Sequence, residues 1–160
     1  MIIPKHRMQS FFSNFLSESQ FQPAGFDMTM KEVYRFSSPG KIDFDNKERM
    51  LSTAERIDFV RDEVFLPKGA YKVLYNEYVR IPSDVAAFCF PRSSLLRCGA
   101  TLECAVWDPG YEGRSESLLV VHNENGIILK KNAKLGQIVF IKLLEETKEL
   151  YNGRYKGENK

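Results

Sequence analysis

From Phe65 onward the chain is a series of short runs rich in β-branched and aromatic residues, each ended by a turn signal. The runs are Tyr71–Tyr75, Glu77–Ile81, Val85–Phe90, Ala100–Trp107, Ser117–His122, Gly126–Leu129 and Gln137–Leu144. Pro67-Lys68-Gly69, Pro82-Ser83, Asp108-Pro109-Gly110, Asn123–Gly126 and Lys131-Asn132 separate them. Proline and glycine stop a ladder where they stand, so runs of this kind predict an all-β sandwich, jelly roll or barrel. No glycine-rich phosphate loop follows a strand, which removes the doubly wound nucleotide folds.

Upstream the signals are weaker. Phe11, Phe12, Phe15 and Leu16 are spaced for a short amphipathic helix, stopped by Pro23 and Gly25. Met28–Phe36 alternates like a strand, Ser37–Gly40 is a turn cluster, and Lys41–Glu63 reads as a charge-rich loop with one or two short strands. With 160 residues, 43% of them apolar, the expectation is one β domain over 1–150, with residues 1–22 as an N-terminal arm. Residues 151–160 follow the last strand and carry two tyrosines, two glycines and three cations without apolar periodicity. They are either a frayed end or a flexible lid suited to an aromatic, phosphorylated ligand.

The net charge of +2 argues against duplex nucleic acid as a partner, since displacing counterions needs an excess of Lys and Arg. No apolar run approaches the ~20 residues of a membrane span. Three cysteines, and no secretory pattern at the start, predict a reducing cytoplasm, with Cys89, Cys98 and Cys104 as buried small hydrophobes. Two histidines and no CxxC or HxxxH spacing make a zinc site a poor reading.

Three stretches can carry chemistry. Phe90–Gly99 puts hydroxyls at Ser93 and Ser94 between the cations Arg92 and Arg97, with Ser93 as an N-cap. That suits a phosphate, or an ordinary strand-to-helix turn. Asp108 follows an apolar strand and precedes Pro-Gly, which suits a general base on rigid backbone, or a turn residue. Beside it, Tyr111 could wall a sugar. Lys131–Gln137 sets two cations and an amide at a strand start, which suits phosphate oxygens, or, more simply, a solvated hairpin end.

Taken in order, these motifs resemble the deoxyuridine triphosphatase and deoxycytidine triphosphate deaminase superfamily, its archaeal members above all. Gly25–Met30 resembles the first motif, Pro91–Gly99 the second, Ala105–Gly113 the third, and Lys131–Gln137 the fourth, with lysine where arginine is usual. Tyr151–Gly157 is similar to the tail of the deaminase-like branch; the glycine-rich fifth motif of the triphosphatases is absent. The resemblance implies a distorted β jelly-roll barrel, a homotrimer with shared active sites, and magnesium held through substrate phosphates. It implies Asp108 as the residue that orders water. Arg92, Ser93, Ser94, Arg97, Ala105, Tyr111, Lys134, Gln137, Tyr155 and Lys156 are implied as binding residues.

Two reactions occur in that superfamily. Hydrolysis of dUTP to dUMP and pyrophosphate needs a base and cations. Zinc-free deamination of dCTP needs a glutamate on the strand after the third motif. Here that position falls on Val120 when Asn123 is aligned, and valine moves no proton. A bulge between Gly113 and Asn123 would shift Glu116 into the place instead. The expectation is therefore a dUTP diphosphatase. A dCTP deaminase or bifunctional enzyme, and a trimeric non-catalytic nucleotide-binding regulator, are the alternatives.

Overall fold

The computed structural model describes all residues, Met1–Lys160. Its strands are β1 Phe12–Ser13, β2 Phe21–Gln22, β3 Gly25–Phe36, β4 Ala54–Ile57, β5 Glu63–Leu66, β6 Gly69–Tyr75 and β7 Tyr78–Arg80. They continue with β8 Val85–Pro91, β9 Ala100–Glu103, β10 Glu112–Gly113, β11 Glu116–Val121, β12 Ile127–Lys130 and β13 Lys134–Lys142. The one α-helix, α1, is Ser93–Arg97.

The main sheet runs β8-β13-β3-β6-β11-β9, with β2 and β4 also paired to β3. β9 comes back beside β8, so the sheet nearly closes on itself, as an all-β jelly-roll barrel requires. Two smaller ladders, β1-β7-β10 and β5-β12, complete the strand pairing. Alternation fills the interior: Tyr71, Val73 and Tyr75 from β6, Val85, Ala87 and Cys89 from β8, and Leu119 and Val121 from β11 are buried. Bulges shift the register between Met30 and Glu32 and between Lys134 and Gly136. The first follows Met30, so Val33 rather than Glu32 takes the next inward place.

The expected helix near Phe11 does not form. The segment makes three 3₁₀ turns, Lys5–Arg7, Gln9–Phe11 and Glu18–Gln20, with β1 between them and Asn14 at a positive φ of 67°. Aromatic side chains lose rotamer freedom in a helix. Here they gain more by packing: Phe12 stacks on Phe26 at 3.8 Å, with Phe21 and Phe140 edge-on. Each phenyl so buried contributes roughly 1.5–3 kcal/mol. The strand expected over Ala100–Trp107 stops at Glu103, and only Trp107 rejoins the barrel, by a bridge to Ala87. Cys98 is exposed at the end of α1, contrary to expectation, while Cys89 is buried and Cys104 half-buried. No helix is long and apolar enough to cross a membrane.

Candidate active site

The best-defined side of the site is the turn that presents Asp108. Trp107 is buried and exchanges two backbone hydrogen bonds with Ala87, each 3.0 Å. The next four residues close a turn in which the Tyr111 N–H donates to the Asp108 carbonyl at 3.1 Å. Proline in the second place and glycine at φ +83° in the third make this a type II turn. A Cβ at Gly110 would also meet the Leu150 side chain at 2.8 Å. Neighbours clamp the turn. Gly110 N–H donates to Ile81, Ile81 N–H to Tyr111, and Tyr151 N–H to Pro109, at 2.8–3.0 Å. The Asp108 carboxylate is exposed and makes no hydrogen bond or ion pair within the chain.

Asp108 stands at the wall of a cavity of about 580 Å³, a size suited to a nucleotide-sized ligand. Ala105, Tyr111 and Tyr155 line it too. Backbone groups of Cys104, Ala105 and Val106 make no backbone hydrogen bond, because the chain has left the β9 ladder there. The Tyr111 hydroxyl donates to Glu158 at 2.7 Å. Burial, then the Glu158 hydrogen bond and charge, push the phenol well above its ordinary range. Burial likewise raises Glu158, against the Tyr111 hydrogen bond.

The cationic residues form a second cluster. Asp27, on β3, is buried, 1% exposed. Arg92 Nε lies 3.5 Å and Lys134 Nζ 3.3 Å from its carboxylate, and Gln22 donates to it at 3.1 Å. Gln137 is paired to Asp27 on one side and Phe90 on the other. Asp27 thus ties cations from β8 and β13 into one patch. Ser93, Ser94 and Arg97 lie exposed on α1 beside it. Ser93 is the first helical residue and not the N-cap. Arg92 takes that place, because its backbone is still extended where β8 runs out. Lys156 is exposed and lies off the cavity.

One chain therefore gathers Ala105, Asp108, Tyr111 and Tyr155 in one place and Arg92, Lys134 and Gln137 in another. Trp107 pairs with Ala87, five residues short of Arg92 on β8. At the rise of an extended strand that separation is about 16 Å.

Residues 4–143 match the dCTP deaminase-like family. The chain belongs to it. Family relatives extend the match. A Methanosarcina acetivorans protein named a probable deoxyuridine 5′-triphosphate nucleotidohydrolase is 52% identical over 143 residues, 89% of this chain and 84% of its own. A Methanocaldococcus jannaschii protein named a deoxyuridine 5′-triphosphate nucleotidohydrolase is 43% identical over 159 residues, 98% of this chain and 99% of its own. The crystal structure of a dCTP deaminase from Agrobacterium tumefaciens superposes with a TM-score of 0.67 at 20% identity. It covers 87% of this chain and 48% of the deaminase, so this chain spans about half that protein's length. That likeness is one of fold.

Against the dCTP deaminase-like pattern, β11 runs from Glu116 to Val121 with no bulge. Glu116, Leu118 and Val120 share one face of it. Val120 does not line the cavity, whereas Glu116 does, with its carboxylate 2.9 Å from Lys72. The Lys72 ammonium also lies 4.5 Å from the centre of the Tyr34 ring. Lys72, Ser115 and Glu158 are cavity residues that the motifs do not mark. Nor do they mark a further wall, built by Ile42, Met50 and Leu51 of the hairpin between β3 and β4. The one trace of that wall in the sequence is apolar residues inside a charge-rich loop.

Proposed function

We propose that the protein hydrolyses dUTP to dUMP and pyrophosphate, in sites completed between copies of the chain. The observation that carries this reading is the unpaired Asp108 carboxylate, held by a clamped turn beside Tyr111 at a nucleotide-sized cavity. The names of the archaeal relatives support the substrate. Asp108 orders a water and takes its proton as the oxygen attacks the α-phosphorus. The bond from that phosphorus to the bridging oxygen breaks, and pyrophosphate leaves. Free backbone groups of Cys104–Val106 read the uracil edge, and Tyr111 packs on deoxyribose and fills the space of a 2′-hydroxyl. Cytosine would leave buried backbone groups unpaired, so dUTP is favoured over dCTP.

Arg92, Arg97, Lys134, Gln137, Ser93 and Ser94 bind the triphosphate. With α1 only five residues long, side-chain charge outweighs any helix dipole. Since about 16 Å of strand separates Arg92 from the Asp108 wall, the phosphates of one cavity meet the cations of a neighbouring copy. A homotrimer with shared sites fits this division. It also fits the exposed Phe88 and Phe90, which stand in a row on the outer face of β8. Tyr155 reaches the ligand from the tail, and residues 151–160 act as a lid.

No group of three or more His, Cys, Asp or Glu side chains forms a metal cage. Magnesium needs none, because it keeps its waters and binds through phosphates. Arg92, Arg97 and Lys134 would hold the triphosphate that carries it. When bound, it would neutralise charge on the phosphates.

Incubation with dUTP or dCTP and magnesium tests the reading. Pyrophosphate and dUMP are expected from dUTP, and no ammonia from dCTP. Ammonia release that disappears in Glu116→Gln would instead assign deamination to Glu116. Nucleotide binding without turnover would mark a regulator.

A further inference from the structure

The tail is docked rather than frayed. Gly157 N–H donates to the Glu112 carbonyl and Arg114 N–H to the Glu158 carbonyl, at 3.1 Å for the latter. Asn159 Nδ2 donates to the Arg114 carbonyl and Arg114 Nη1 to the Asn159 carbonyl, both at 2.9 Å. Glu158 forms a parallel bridge with Gly113. Residues 157–159 thus extend the β10 edge of their own chain, and β10 follows directly on Tyr111. The register puts the Glu158 carboxylate on the Tyr111 hydroxyl and sets Tyr155 and Glu158 in the cavity wall. Upstream, Tyr151 packs edge-on against Tyr111, with ring centres 5.7 Å apart.

We propose that Glu158, carried by the docked tail, is a positioning residue which fixes the Tyr111 hydroxyl of its own subunit for the nucleotide sugar. This rests on the hydrolase reading above but adds to it. The phosphate-binding residues come from a neighbour, whereas the lid and its anchor act on the chain that carries them. Glu158 touches no reacting atom. It acts by fixing the hydroxyl of a phenol that is buried, 6% exposed, and packed edge-on against Tyr151.

A double-mutant cycle on dUMP affinity and on KM for dUTP tests the anchor. Tyr111→Phe and Glu158→Ala are each expected to weaken dUMP binding and raise KM by roughly 10- to 100-fold, the range for a hydrogen bond to a charged group. The double variant should be no worse than either, and Glu158→Gln, which still accepts the hydroxyl, should restore most of the loss. Additive losses, or no rescue by glutamine, would overturn the anchor.

Hybrids test the direction of closure. Asp108→Asn and Arg92→Ala chains, each inactive, should regain turnover when co-refolded if sites are shared. Asp108→Asn chains co-refolded with chains ending at Asn152 should regain none, because the only intact Asp108 then lies in a subunit without its lid. Recovery in that second mixture would show closure by a neighbour's tail and overturn the inference while leaving the hydrolase reading intact. A wild-type protein that neither binds nor hydrolyses dUTP would overturn both.

Discussion

Two carboxylates show how the same side-chain chemistry is put to opposite uses. Asp108 is exposed and unpaired on a turn held by hydrogen bonds with Ile81 and Tyr151. Asp108→Asn should lower dUTP turnover by about 10²–10⁴-fold while dUTP affinity stays near wild type, since the amide keeps the shape but takes no proton. Unchanged turnover would remove it from the mechanism. Glu77, in contrast, is fully buried. It accepts hydrogen bonds from Gln20 at 2.7 Å, from the Thr29 N–H at 2.9 Å and from the Thr29 hydroxyl. Glu77→Ala strands these donors and should destabilise the fold by about 3 kcal/mol or more, read from urea unfolding. Burial raises the Glu77 carboxyl above its ordinary 4.5, more than those hydrogen bonds lower it. The folded state then holds its proton where the unfolded state has lost it. Glu77's contribution is therefore complete below the unfolded value and falls as pH rises toward the folded value. The loss in Glu77→Ala should be larger at pH 4 than at pH 7, and the reverse order would contradict this account.

The tail carries the clearest prediction at the level of an element. It contributes only Tyr151 to the packing around the core. Deleting 151–160 should leave a folded protein with little turnover, and wild-type kinetics from the shortened chain would show that the tail has no part in the site. Docking should also respond to pH. Burial is the main cause that raises docked Glu158 above 4.5; the Tyr111 hydrogen bond and Lys72 pull the other way, and Glu116 adds to the rise. A raised value means that protonation favours the docked state, so docking weakens as pH climbs from 4.5 through the docked value. Amide exchange at Gly157 and Glu158, corrected for intrinsic rate, should show less protection at pH 7 than at pH 4.5. The hairpin wall of Ile42, Met50 and Leu51 is the element whose role is least visible in the chain. Its apolar side chains face a cavity, and so resemble neither a core stripe nor a solvated loop.

At the scale of the whole molecule, the separation of the Asp108 wall from the Arg92 patch carries the argument for assembly. Mixed Asp108→Asn and Arg92→Ala chains, combining at random in a closed ring, should restore about one site in four. No recovery, with hybrids verified by mass, would mean that one chain supplies both halves. If the proposed trimer uses the outer face of β8, replacing Phe88 and Phe90 together by serine should shift sedimentation to a smaller species and abolish turnover. A trimer that survives the change would place the interface elsewhere.

The all-β class, most strand positions and the Asp108 turn were legible in the sequence, because alternation and Pro-Gly chemistry are local properties that neighbours along the chain decide. The ordered motifs carried the family. What only the tertiary structure decided involves groups far apart in the chain. Phe11, Phe12 and Phe15 could lie along a helix or gather with Phe21 around Phe26 and Phe140, and burial favoured gathering. Asp27 could pair with any cation, and the meeting of β3, β8 and β13 chose Arg92 and Lys134. Position along β11 set Glu116 at the cavity and left Val120, four residues on along the same face, beyond it. Glu158 lies 47 residues from the hydroxyl it accepts, a distance over which local sequence has no influence and which only a completed β10 edge can span.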